Sequence, residues 1–193
     1  RPAERLVVWK GSGRWDQAFN PAWSPDGARI AFTAWRQGGV RDVLVVPADR
    51  TSVGVEPGVI EVTRDRALDG DPQFSPDGRW LYFTSDRTGI NNVFAWDLAS
   101  GETWQVSNTI GGVTEMAVSP DGERIAYGDF VGTGWDLYEL ALDPRRWTPA
   151  LPYVDDRPPP TQVDDGEVTV SAPRPYRAIE TLEIGRASCR ERV

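Results

Sequence analysis

The chain has no histidine, one cysteine and one methionine among its 193 residues. Without histidine, neither a Ser-His-Asp nor a Cys-His catalytic arrangement can be assembled from it. It also lacks a G-x-S-x-G elbow, a Walker loop and any zinc-ligand spacing. No run approaches the roughly 18 apolar residues that a membrane-spanning helix needs. Positive charge is scarce: 21 Lys and Arg stand against 29 Asp and Glu, for a net charge of −8. Such a surface is repelled by phosphate backbones, so nucleic acid is not expected as a partner. The reading is therefore of a non-catalytic module with no catalytic, cofactor or metal residues.

What is abundant is glycine (19), proline (16) and tryptophan (9). That mixture suits many short strands joined by tight turns. The turns recur. Ser24-Pro25-Asp26-Gly27, Ser75-Pro76-Asp77-Gly78 and Ser119-Pro120-Asp121-Gly122 are copies of one motif. Each is flanked by the same pair of strand-like runs. Pro21-Ala22-Trp23, Pro72-Gln73-Phe74 and Met116-Ala117-Val118 precede the motif. Ile30–Thr33, Leu81–Thr84 and Ile125–Gly128 follow it, and a third run begins at Asp42, Asn92 and Asp136. Proline presets φ for the turn, aspartate bonds nearby backbone, and glycine supplies a conformation that other residues resist. The twelve motif residues are thus read as structural turn residues, not as ligands.

A unit of 40–50 residues with four short strands is the signature of a propeller blade. The fold class expected is all-β: a β-propeller fragment of about three four-stranded blades plus a remnant, followed by a Pro-rich linker. Residues 1–143 form the partial propeller, with blades at about 17–65, 66–110 and 111–143. Leu6–Lys10 is read as the outer strand of a preceding blade. The first blade carries an insertion, Ala48–Gly58, before its outer strand Val59–Thr63. The third has no evident outer strand, which is expected to come from upstream. Trp23, Phe32, Phe74, Phe83, Trp96, Tyr127 and Tyr138 are expected to pack between blades.

Residues 144–182 form a Pro-rich acidic linker, since half of the prolines fall between Pro144 and Pro175. Residues 183–193 resemble an in-frame translation of a sequencing adapter and are set aside as non-native. Native sequence is expected to end near Leu182 or Glu183. Without the three arginines and one glutamate of Ile184–Val193, the charge becomes −10 rather than −8. The first residue falls in mid-pattern, so the natural start is expected to lie upstream.

The repeats, from about Asn20 to Leu142, resemble the Pro-Asp variety of WD-like repeat found in TolB-like propellers. The stretch from Ala172-Pro173-Arg174-Pro175-Tyr176 to Leu182 is similar to the segment that joins such propellers to an outer-membrane β-barrel of the bacterial surface antigen type. Gly134-Trp135-Asp136-Leu137-Tyr138 resembles the last blade of those proteins. The resemblance implies a propeller in the periplasm or outer membrane that binds protein or peptide ligands, with a barrel downstream. Two rival readings stand beside it. One is a gating propeller of a prolyl-oligopeptidase-like serine peptidase. The other is a free periplasmic TolB-like partner of envelope lipoproteins.

Bland readings compete at each remaining position. Asp155-Asp156 and Asp164-Asp165 have the oxygens for a hard cation, but solvated linker charge explains them better. Gly132-Thr133-Gly134 lacks the helix of a phosphate loop and reads as a hairpin turn. Trp15, Trp35 and Trp147 are the tryptophans taken as exposed and available for binding.

Overall fold

The structure, a computed structural model, describes residues 5–155. The chain enters through a short strand, β1 (Trp9–Lys10). It builds a first sheet from β2 (Gln17–Trp23), β3 (Arg29–Arg36) and β4 (Val40–Pro47). A loop containing β5 (Ser52–Val53) leads to the outer strand β6 (Ile60–Glu61). The second sheet runs β7 (Gly70–Phe74), β8 (Trp80–Ser85), β9 (Asn92–Asp97) and β10 (Thr103–Gln105). The third holds β11 (Val113–Val118), β12 (Arg124–Phe130) and β13 (Trp135–Ala141). Within each sheet consecutive strands pair antiparallel, in chain order.

Side-chain alternation explains why these sheets stack. Successive residues of a strand face opposite sides. On β8, Leu81 and Phe83 point to the first sheet, where they meet Ala22, Ala31, Val43 and Val45. Trp80 and Tyr82 point the other way and meet Val113, Met116, Ile125 and Tyr127 of the third sheet. With both faces covered, every residue of β8 is buried. On β12, where one face is covered, burial alternates instead. Each fully buried Phe, Leu or Val contributes about 1.5–3 kcal/mol, so the two interfaces carry most of the stabilisation.

The remaining face of the first sheet is covered differently from the sequence reading. Leu6–Lys10 was expected to be the outer strand of another blade. In the structure β1 pairs parallel with β5, inside the first blade's own insertion. Ser52 and Gly54 donate backbone N–H groups to the carbonyls of Val8 and Lys10, at 2.9 and 2.8 Å. The Trp9 indole N–H donates to the Gly54 carbonyl, and its ring lies 4.9 Å from that of Phe32. The insertion thus clamps a strap over Ile30, Phe32, Leu44 and Val46.

Three aromatic placements differ too. Trp147, expected to be exposed, is 7% exposed. It sits edge-on to Trp80 and Tyr82, with centroids 4.9 and 6.0 Å away, between the second and third sheets. It gets there because the chain after β13 does not run straight into the linker. Asp143 caps a 3-10 turn at Pro144–Arg146, and β14 (Thr148–Pro149) adds antiparallel to β10 as a fifth strand. Trp23, expected between blades, is 63% exposed. It shares the register of Ile30, on the side away from the second sheet. Tyr138 is half-exposed and stacks on Tyr127, at the edge of its sheet among the described residues. The rest of the expected linker and the tail lie outside the described residues.

Trp147→Ala is expected to cost about 3–5 kcal/mol, the usual range for a large aromatic removed from a packed interior. Urea unfolding of the full chain checks this. A loss below about 1 kcal/mol would show that the tryptophan adds little to the interface. A chain cut after Asp143 loses the same plug, and is expected to unfold with low cooperativity or aggregate.

Candidate functional site

The three repeat turns have one geometry. Ser24, Ser75 and Ser119 each donate their hydroxyl to the carboxylate of the aspartate two residues on. Each serine oxygen accepts the backbone N–H five residues on, at 2.9, 2.8 and 2.9 Å. Asp26, Asp77 and Asp121 each also accept one backbone N–H at 3.0 Å, from Ala28, Arg79 and Glu123. These bonds, the serine hydroxyl first, hold all three carboxyls below their usual range. In each turn both bonds fall on the same carboxylate oxygen, Oδ1. Among the described residues no cluster of acids, Cys or His has metal-binding geometry.

Neighbouring turns touch. The Pro76 ring sits over Gly122, so that a Cβ there would lie 3.1 Å from its Cδ; the Pro25 ring sits over Gly78 at 3.9 Å. Within each inner strand a second feature recurs. Asn20, Asp71 and Glu115, each four residues before the serine, have φ near +50°, and each lies within a β-bulge. Asp71 ties three sheets together. Its N–H donates to Thr33 Oγ1 at 3.2 Å, and its carboxylate accepts the Met116 N–H at 2.9 Å.

A charged knot holds the crossover from the first sheet to the second. Asp42 is fully buried and paired with Arg36, which also reaches Glu61 at 3.3 Å. Arg87 pairs with Asp69 at 3.1 Å and with Asp65 at 3.5 Å, while its guanidinium lies over the rings of Phe94 and Phe83. Burial pushes the Asp69 carboxyl up to about 6, against the pull of Arg87. Burial also raises Asp42, against the pull of Arg36.

The surface with binding character lies at the strand ends opposite the turns. β3 runs from the turn to its hairpin at Arg36, so Trp35 stands at that far rim. Phe19 lies beside it with centroids 5.9 Å apart, and Arg41 Cζ lies 4.3 Å from the Trp35 ring centre. Trp15, with Arg14 over its ring, precedes β2 on the same side. The third sheet repeats the theme: Phe130 and Trp135, both exposed, meet edge-on across their hairpin at 5.5 Å. A separate cleft of about 660 Å³ beside the insertion is walled by Trp23, Arg29, Val46, Ala48 and Ile60.

Of the three tryptophans taken as available for binding, Trp15 and Trp35 are at this rim and Trp147 is not. Phe19, Arg41, Phe130 and Trp135 escaped the sequence reading. A positional signal for them exists: the residue eleven after the repeat serine is Trp35, Asp86 and Phe130 in the three copies. An aromatic at a hairpin end, where the middle copy is charged, marks surface rather than interior.

Gly122→Ala is expected to lose more stability than Gly27→Ala. Both glycines lie in the left-handed region, at φ +74° and +69°, which costs an L-residue roughly 1–2 kcal/mol. Only Gly122 has a proline ring against it. Equal losses in parallel urea melts would show that the ring contact is inconsequential. For Asp69 the folded value lies above the unfolded carboxylate range of about 3.9, so ionising it opposes folding. Its penalty is complete above pH 7 and is relieved as pH falls through 6 toward 4. The gap in melting temperature between wild type and Asp69→Asn is expected to change between pH 7.5 and pH 5. A pH-independent gap would contradict a titrating Asp69.

The model of the TolB beta propeller domain matches residues 10–146. A protein TolB homolog of Chlorobium luteolum is 31% identical over 121 residues, covering 45% of this chain and 28% of its own. An uncharacterized peptidase of Bacillus subtilis, YuxL, is 30% identical over 118 residues, covering 60% of this chain and 18% of its own. The crystal structure of TolB from Acinetobacter baumannii superposes with a TM-score of 0.55 at 25% identity, over 64% of this chain and 29% of that one. The chain thus spans less than a third of the length of each of these relatives. The three stacked sheets are blades, and the chain belongs to the TolB beta propeller domain family.

Proposed function

We propose that this propeller arc is a non-catalytic module that binds protein or peptide ligands in the bacterial cell envelope. The observation that carries the reading is the rim formed by Phe19, Trp35 and Arg41. It places two exposed aromatics and a stacked guanidinium together at the ends of three paired strands, β2, β3 and β4. Trp, Tyr and Arg dominate the energetics of protein interfaces. The likeness to the Chlorobium TolB homolog supports the envelope location. Tethering to an outer-membrane barrel rests on residues 172–182, outside the described residues, and a free-standing TolB-like partner of envelope lipoproteins is the simpler form of the same reading.

The likeness to the Bacillus peptidase favours a second reading, a propeller that gates a serine peptidase domain. The nucleophile and histidine would then come from elsewhere in the protein, since this chain has no histidine. A gene that continues into a G-x-S-x-G hydrolase would establish that reading over the barrel.

Selection of a displayed peptide library against the full chain tests the binding role. Enriched peptides are expected to bind Trp35→Ala at least about tenfold more weakly, while its melting temperature shifts little. Peptides indifferent to both Trp35→Ala and Phe19→Ala would remove the rim as the ligand site.

A further inference from the structure

Each joint between blades carries a cleft at the turn end, away from the rim, and the two joints differ in the groups they hold. Between the first and second blades a cleft of about 390 Å³ is lined by Asp26, Arg29, Asp77, Arg79 and Leu98. Two carboxylates there share the space with two cations. Asp26 is held below its usual range by the Ser24 hydroxyl first, and in smaller part by the charge of Arg29. Between the second and third blades the cleft is about 250 Å³, lined by Asp77, Arg79, Trp80, Tyr82, Asp121 and Leu142. Counted from the repeat serine, Leu142 takes the place of Leu98, Trp80 that of Arg29 and Tyr82 that of Ala31. The second joint has thus exchanged a cation for an indole and a methyl group for a phenol.

That phenol is the unusual group. Tyr82 is 2% exposed, with its ring edge-on to Trp147. A buried tyrosine hydroxyl ordinarily finds a hydrogen-bond partner. Among the described residues the Tyr82 hydroxyl has none, and the residue forms part of the cleft wall. Burial first, and then the charge of Asp77, push the phenol above its usual range, so it stays protonated. Asp77 uses Oδ1 for both of its turn bonds, and its Oδ2 makes no hydrogen bond among the described residues. Asp121 Oδ2 lies 3.6 Å from Arg124, and both side chains are half-exposed. Arg79 is the cation of this cleft among the described residues. It lies 3.4 Å from Asp97, and its Cζ is 4.7 Å from the Trp80 ring centre.

We propose that the cleft between the second and third blades binds a primary alkylammonium group, carried by a lysine side chain or by a free diamine. The ammonium has three N–H donors, and the cleft has three oxygens to accept them, from Asp77, Tyr82 and Asp121. The methylene stem lies against Pro76 and Leu142, as lysine stems lie on apolar surface. A guanidinium, with five donors in a planar fork, matches three acceptors less well. The first joint is the precedent. There the chain's own Arg29 brings an alkyl stem and a positive charge beside the turn carboxylates. The net charge of −8 draws cations toward the molecule as a whole. This site lies at the opposite strand ends from the rim and does not rest on the binding role proposed there.

The test uses the full chain and three probes: N-acetyl-lysine methylamide, cadaverine, and N-acetyl-norleucine methylamide, which keeps the stem without the charge. In amide NMR titrations the two amines are expected to give saturable shifts at Asp77, Tyr82 and Gly122, and the norleucine probe none. Tyr82→Phe removes the hydroxyl and keeps the ring against Trp147. It is expected to weaken amine binding about tenfold, the worth of a hydrogen bond to a charged group, with little change in melting temperature. Asp77→Asn keeps an oxygen for the turn and is expected to weaken binding at least as much. Tighter binding of the lysine probe identifies a protein side chain as the source, and tighter binding of cadaverine a free amine. Equal binding of the norleucine probe would overturn the proposal, as would an affinity unchanged by Tyr82→Phe or no saturable shift at these amides. Trp35→Ala is expected to leave the amine affinity unchanged; shifts confined to the Trp35 rim would also overturn the assignment to this cleft.

Discussion

Everything in this arc depends on sheets that cannot bury their own faces. A four-stranded blade has two apolar sides and no interior, so it becomes stable only when a neighbour covers each side. Leu81 and Phe83 on one side of β8, with Trp80 and Tyr82 on the other, are the plainest case. The constraint explains the cover at the first blade, where the insertion binds β1 as a strap. It explains Trp147 as well. Where the third blade leaves a gap beside Trp80, the chain doubles back and fills it with the largest side chain available.

Polar groups serve the same end by closing the edges of each interface. Asp71 reaches both neighbouring blades through one backbone and one side-chain bond. The Arg87 knot fixes the crossover, yet confines Asp69 where ionisation is costly. Chemistry of that kind resembles an active site in its perturbed carboxyl, but Asp69 is already paired with Arg87 and Asp42 with Arg36 within the scaffold. The rim differs: Trp35, Phe19 and Arg41 satisfy one another while keeping open surface.

The repeat turns were legible in sequence because their chemistry is local. Serine, proline, aspartate and glycine complete their bonds within six residues, so the pattern and the geometry coincide. The strand order followed from the same spacing. Trp147 was not legible, because prolines on both sides of it read as linker while its partners Trp80 and Tyr82 lie more than sixty residues away. Trp23 misled for the opposite reason: its place in the repeat matches Phe74, but its side of the first blade lacks the neighbour that covers Phe74. The rim joins side chains from β2, β3 and β4, and the Asp69–Arg87 pair joins residues from before β7 and after β8, so neither is completed within one turn motif.

The proline that rests on the next blade's glycine has a direction. Pro25 covers Gly78 and Pro76 covers Gly122, never the reverse, so each turn carries a plug on one side and a socket on the other. A gene segment that encodes one blade carries both halves of this joint. Duplicating or deleting such a segment restores a plug to a socket without a new contact having to arise. Blade number is thus free to drift over evolutionary time while the joint between blades stays the same.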